Sequence, residues 1–182
     1  MALTATIYTF DVQLSDADRH VYETLALRLA RQPSETAEYL LTRALAYCLE
    51  YAEGIAFSRG LAEPDEPPLA VRDLTGALQT WIDIGNPDAA RIHKASKATG
   101  RVVIYTHKDP TVLVQKLAAE RIHRPDALEI NAVDRALIAA LGERLERRMT
   151  FDLAVSDRHL YVTLGDGSTL SGVLTSYRLG AA

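Results

Sequence analysis

Residues 101–105 read Arg-Val-Val-Ile-Tyr. The run has no polar alternation, so a strand here has to bury both faces, as strands of a parallel sheet do. What precedes it fits that requirement. Gly85-Asn86-Pro87-Asp88 carries helix-start signals, with Asn86 as the cap, Pro87 in the first helical position and Asp88 favoured by the helix dipole. The helix is predicted to run to about Ala98, with Gly100 ending it, and Ala77–Ile84 before it has the composition of a strand. Strand, helix and strand in that order imply parallel pairing across a crossover, and hence an α/β fold.

The segments on either side add antiparallel pairs. Ala5–Leu14 and His20–Leu29 flank a polar turn and read as a long N-terminal hairpin. Pro33-Ser34 then precedes a helix that Ser34 would cap, with Ala37, Leu40, Leu41, Ala44, Leu45 and Cys48 on its buried stripe and Gly54 at its end. After the short apolar stretch Ile55–Phe57, the segment Glu63-Pro64-Asp65-Glu66-Pro67-Pro68 cannot continue a helix or a central strand and is expected to be a loop. Leu69–Arg72 and Ala77–Ile84 form a second hairpin around Asp73-Leu74-Thr75-Gly76. Beyond residue 106 the pattern gives a helix from Asp109 to about Arg121, a short strand at Leu128–Ile130, a helix over Val133–Leu145 and two or three strands between Thr150 and Tyr177. The Glu143–Arg148 charge run reads as a solvated helix end. With 182 residues, 48% of them hydrophobic, and no linker or repeat, a single domain spanning 1–182 is expected.

Composition narrows the function classes. A net charge of -4 and a pI near 5.7 give no global attraction to nucleic acid, so any such reading has to rest on a local site. The one cysteine, Cys48, cannot form an internal disulfide and reads as a small core residue. The opening residues lack the segments of a secretory signal and no apolar run is long enough to span a bilayer, so a cytoplasmic protein without membrane contact is expected. His20, His93, His107, His123 and His159 show no paired spacing of the kind zinc uses, and Ser58 lacks the glycine pattern of a nucleophile elbow.

The informative arrangement is acidic. If the second hairpin turns at Thr75 and Gly76, antiparallel pairing sets Asp83 opposite about Pro68, and Asp65 and Glu66 emerge beside that end of the strand. Two or three carboxylates there could hold a hard cation such as Mg²⁺ or Mn²⁺, with water and phosphate oxygens filling the remaining positions. Arg91, Lys94 and Lys97 on the next helix supply positive charge of the kind that stabilises a phosphorane. Asp83 lies between Ile82 and Ile84 and needs a partner if buried. Asp73, at the turn end, reads as a turn former, and Trp81 as a core residue or as a stacking platform beside a groove.

Three long stretches, residues 1–36, the segment AFSRGLAEPDEPPLAVRD, and TWIDIGNPDAARIHKASKATGRVVIYTH, together resemble the YaeQ family over essentially the whole chain. That family is similar in fold to the PD-(D/E)xK phosphodiesterases. The resemblance implies a restriction-endonuclease-like core over about 34–106, running helix, three-stranded antiparallel meander, helix, strand, in a mixed sheet with flanking helices and extended by the terminal strands. It implies Asp65 or Glu66 as the first acidic position and Asp83 as the second. The strand lysine of the pattern is replaced by Gly85, and Lys94 takes its role in this reading. Glu35 resembles an acidic helix residue that such enzymes add to the metal site, although a carboxylate early in a helix is also favoured by the dipole alone. The expected function is a Mg²⁺-dependent nuclease with Glu35, Asp65, Glu66 and Asp83 as metal ligands and Asp83, Lys94 and Glu66 as the catalytic groups. The alternative is a non-catalytic interaction or regulatory module with a protein partner.

Overall fold

The computed structural model describes residues 4–58 and 65–180. In chain order its elements are β1 (Thr6–Asp16), β2 (Val21–Arg31), α1 (Ala37–Leu49), β3 (Ile55–Phe57), β4 (Leu69–Arg72), β5 (Leu78–Ile84), α2 (Ala89–Ala98), β6 (Arg101–Thr106), α3 (Pro110–Ala118), β7 (Leu128–Val133), α4 (Arg135–Glu143), β8 (Arg148–Ser156), β9 (His159–Leu164) and β10 (Thr169–Arg178). The protein is therefore mixed α/β, with parallel and antiparallel strand pairs. It divides into two compact units, one of residues 1–49 and 133–174 and one of 50–132 and 175–182.

In the first unit the order is β2-β1-β8-β9-β10. The N-terminal hairpin pairs without a break from Thr6 opposite Arg31 to Asp16 opposite Val21, and β8 lies parallel to β1 with Thr9 opposite Arg148. Alternation puts Phe10, Val12 and Leu14 inside and leaves Asp11, Gln13 and Ser15 exposed. Leu25, Leu27 and Leu29 of β2 and Phe151, Leu153 and Val155 of β8 are buried likewise, and α1 packs against α4. Cys48 lies fully buried on α1 as a small core residue, and burial pushes its thiol up from 9.0 to about 12. Gly172 is what lets β10 pass the start of α4, since a Cβ there would lie 2.5 Å from that of Asp134. Asp134 caps α4 by accepting from the Ala136 and Leu137 amides at 2.8 and 3.1 Å.

In the second unit β3, β4 and β5 form an antiparallel meander, β6 lies parallel to β5, and β7 lies parallel to β6. The apolar run behaves as its pattern predicts, with Val102 through Tyr105 all 4% exposed or less. One face packs Trp81, Ile104 and Ile130 with Ile92 and Ala95 of α2 and Leu113 and Leu117 of α3. The entrance to β6 is fastened by charge. Arg101 donates to Glu50 at 2.6 and 3.3 Å and to Glu129 at 2.9 and 3.1 Å, and the Tyr105 hydroxyl donates to Glu50 at 2.7 Å. Burial works against the Arg101 charge, but these bonds outweigh it and hold the guanidinium pKa above its ordinary value.

Several boundaries differ from the sequence reading, each for a local reason. Thr36, not Ser34, caps α1, its hydroxyl accepting from the Tyr39 amide at 3.0 Å. The helix stops at Leu49, and Gly54 serves the turn into β3, where a φ of +88° and an approach of 1.9 Å between a would-be Cβ and the Arg72 carbonyl oxygen admit only glycine. α2 starts at Ala89 with Asp88 as cap, which displaces Asn86 and Pro87 from the roles predicted for them. β7 extends to Val133, so α4 begins at Arg135 and ends at Glu143, and Arg148 of the charge run opens β8. The expected loop falls partly outside the described residues, since Glu63 and Pro64 are not among them.

Candidate functional site

β5 delivers Asp83 to a place where a carboxylate is hard to keep. Thr80 through Ile84 are all buried, and Asp83 is only 3% exposed. A strand's two-residue repeat puts Trp81 on the same face, and its Nε1 donates to Asp83 Oδ2 at 2.9 Å. The ion-pair partner comes from α2, where Arg91 Nε donates to the same oxygen at 2.7 Å. Asp83 Oδ1 accepts the Ile84 amide at 3.2 Å. Such charge-assisted bonds offset the desolvation of a buried carboxylate.

Arg91 is held through both its backbone and its guanidinium. Asp88 caps α2 by accepting the Arg91 amide at 2.8 Å, which fixes the residue in the first turn. The guanidinium carbon stands 5.3 Å from the centre of the Trp81 ring, within cation–π range. Nη2 reaches across to the Glu66 carbonyl oxygen at 2.8 Å. One side chain thus ties the residue 65–66 segment to β5. Three residues along α2, on the same flank, Lys94 forms an ion pair with Asp65. Buried Ile92 and Ala95 seat the helix, which lays Arg91 partly buried over Trp81 and leaves Lys94 exposed.

Hairpin pairing explains why the acids converge. Leu69 faces Ile82 and Val71 faces Thr80, and continuing that count brings Asp83 level with Pro68, as the sequence predicts. Asp73 is a turn former, as expected, accepting from Thr75, Ala77 and Gln79. The Thr75 hydroxyl, then the Ala77 amide, hold its carboxyl below the usual 3.8.

The structure therefore brings together Asp65, Asp83, Lys94 and the Glu66 backbone. Glu66 contributes its carbonyl oxygen to the linkage, while its side chain is exposed. Glu35 precedes α1 instead of lying in its first turn, and its carboxylate accepts from the Gln32 amide at 3.2 Å and from Arg43 at 3.4 Å within the first unit. The residue that sequence reasoning undervalued is Arg91. The signal was available: an arginine three residues past a helix cap, Asp88, that lies five residues after Asp83.

Gly85, two residues after Asp83, is a glycine for a backbone reason. Its φ is +84°, and its amide donates to the Tyr105 carbonyl at 2.8 Å, so the chain leaves the sheet in a left-handed conformation. A side chain there would be strained, and cations come from α2 instead. Among the described residues no group of three or more His, Cys, Asp or Glu side chains is arranged to hold a metal. Asp83 Oδ1 and the Asp65 carboxylate retain lone pairs, and a hard cation that keeps several waters needs no more than one or two carboxylates. In that restricted sense the residues fit.

The YaeQ family model matches residues 1–171. The chain belongs to the YaeQ family. The YaeQ protein of Escherichia coli (strain K12) is 32% identical over 181 residues, covering 98% of each chain, and that of Salmonella typhi is 32% identical over 168 residues, covering 90% of this chain and 91% of the other. Two solved structures are similar throughout. The crystal structure of YaeQ from Pseudomonas syringae matches with a TM-score of 0.85 at 32% identity, over 94% of this chain and 95% of that one. YaeQ from Xanthomonas axonopodis pv. citri matches with a TM-score of 0.86 at 32% identity, over 97% and 99%. Among the described residues, no helix is long and apolar enough to cross a membrane.

Proposed function

We propose that the chain is a metal-dependent phosphodiesterase acting on nucleic acid, with its centre at Asp65 and Asp83. The observation that carries the reading is the pairing of two hairpin-end carboxylates with the two cations of one helix flank, Asp83 with Arg91 and Asp65 with Lys94. The order helix, antiparallel meander, helix, parallel strand over residues 37–106 agrees with the nuclease-like core that the family resemblance implies.

In this reading Asp83 Oδ1 and Asp65 would hold Mg²⁺ or Mn²⁺, with the Glu66 side chain as a further donor from the same segment. The bound cation supplies charge neutralisation on the phosphate and a more acidic water. Arg91 keeps Oδ2 of Asp83 engaged, so Oδ1, which accepts the Ile84 amide, is the oxygen that would serve the cation. Lys94, which pairs with Asp65 on the same flank, would supply positive charge to the phosphate oxygens. Glu35 is tied to Arg43 and Gln32, and a ligand role for it requires those bonds to be exchanged.

The test is calorimetry with Mg²⁺ and Mn²⁺ on the wild type and on Asp83→Asn and Asp65→Asn, followed by cleavage assays on labelled DNA and RNA. Binding that both substitutions abolish, with metal-dependent cleavage, is the expected result. Absence of binding in the wild type would sink the reading.

A second reading has its own observation. Each carboxylate already carries a cation, and Gly85 leaves β5 without the lysine of the pattern. A non-catalytic interaction or regulatory module would have such a self-neutralised site. It requires a protein partner whose capture survives Asp83→Asn, and an empty pull-down would count against it.

A further inference from the structure

β2 closes one side of the first unit's sheet and, among the described residues, has no neighbour beyond it. Such an edge is a template for another strand, and proteins usually blunt it by shortness, a bulge, proline or an inward charge. The edge strand of the second unit, β3, is three residues long. β2 is eleven residues long, pairs with β1 in unbroken register, and contains neither proline nor glycine.

The direction of its free backbone groups follows from two bonds. The Thr9 amide donates to the Arg147 carbonyl, so odd-numbered residues of β1 point toward β8 and even-numbered ones toward β2. Even residues of β1 face odd residues of β2, as Asp16 faces Val21 and Leu14 faces Glu23. The outward amides and carbonyls of β2 therefore belong to Tyr22, Thr24, Ala26, Arg28 and Ala30. Arg43 confirms this by donating to the Ala30 carbonyl at 2.8 Å, and it also closes that end of the edge. What is left open runs from Tyr22 to Arg28, a span symmetric about Leu25.

We propose that this edge pairs with the same edge of a second copy, antiparallel, about a two-fold axis through Leu25. A two-fold axis perpendicular to the sheet keeps the same face of both copies on the same side, and the span's symmetry sets the register. Tyr22 then faces the second copy's Arg28, and Thr24 faces its Ala26, each facing pair exchanging two backbone hydrogen bonds. Side chains agree with the pairing. Tyr22 is 61% exposed, and in the dimer each Tyr22 ring meets an Arg28 guanidinium, a favourable cation–π contact repeated at both ends. Between them Thr24 and Ala26 are small enough to lie flat, and each copy's Leu25 faces its counterpart on the buried side. The repeated Tyr22–Arg28 match argues for this chain as its own partner.

Sedimentation velocity on the full chain from about 1 to about 100 μM tests it. The wild type should shift from monomer to dimer across that range. Ala26→Pro removes an outward amide that takes no part in the β1 pairing, and it should weaken dimerisation by about tenfold or more while the far-ultraviolet circular dichroism is unchanged. Tyr22→Arg, at an exposed position, sets like charges opposite each other at both ends and should have the same effect without touching the backbone. A wild type that stays monomeric at the highest concentration overturns the proposal, leaving the edge for an extended segment of another protein. A dimer that both variants leave intact overturns it as well.

Discussion

Asp83 is buried between two isoleucines and held by Trp81 and Arg91, so its removal affects stability before it affects chemistry. Asp83→Asn keeps the shape and the indole bond but leaves a largely buried guanidinium without its counter-charge, and should destabilise the protein by about 2 kcal/mol in urea unfolding. Arg91→Gln should cost a similar amount, with the double variant well short of the sum because the two residues share one interaction. That Asp83 needed a partner was legible, because a carboxylate in an apolar strand demands one. Which cation answered was not, because Arg91 and Lys94 lie on one flank and sequence spacing cannot rank two neighbours on the same helix face. Gly85 is the converse case. Gly85→Lys places a side chain at a φ of +84° and should destabilise by about 1 kcal/mol or more, measured the same way. Cys48, with its thiol pushed up to about 12, should be inert to a thiol reagent at neutral pH and react only as the chain unfolds.

Elements were legible where a local rule acts alone and misplaced where two rules compete. Gly85-Asn86-Pro87-Asp88 satisfies helix-start preferences in two registers. The sheet decides between them, because the Gly85 amide is spent on Tyr105 and Pro87 is buried, which holds the chain extended until Asp88. Asp88→Ala should accordingly cost about 1 kcal/mol in a denaturant titration, and Asn86→Ala much less. Equal costs would mean that the cap is shared. The same competition moved the start of α4, where β7 keeps Val133 and Asp134 takes the cap. Hairpin register, by contrast, followed from counting outward from a turn whose residues announce themselves.

At the scale of the molecule, stability should form a plateau bounded by two kinds of group. Asp18, Asp73 and Asp166 are held below 3.8, Asp18 chiefly by the Arg158 and Asp157 amides and Asp166 chiefly by the Ser168 hydroxyl. A depressed carboxyl contributes stability above its unfolded value, and that contribution is lost as pH falls below 3.8 through the folded one. Cys48 acts at the other limit. Its folded value lies above 9.0, so its contribution is complete below 9.0 and is lost as pH rises toward about 12. Thermal melts across the pH scale should fall at both ends, and Cys48→Ala should flatten the alkaline decline. What the sequence hid at this scale is the parallel pairing of β1 with β8, since no turn residue marks a partner so distant along the chain.

That pairing bears on how the protein is made. β1 leaves the ribosome long before its neighbour β8, with residues 50–132 emerging in between. Throughout that interval the leucines of β2 and one whole side of β1 lack their final cover, so a nascent chain paused anywhere before residue 148 presents an open, sticky strand to the cell. Residues 50–132 of the second unit can gather their own contacts while the first is still waiting. Translation speed across the middle of the message thereby becomes part of the folding problem, and chaperone occupancy should peak there and fall once β8 has docked.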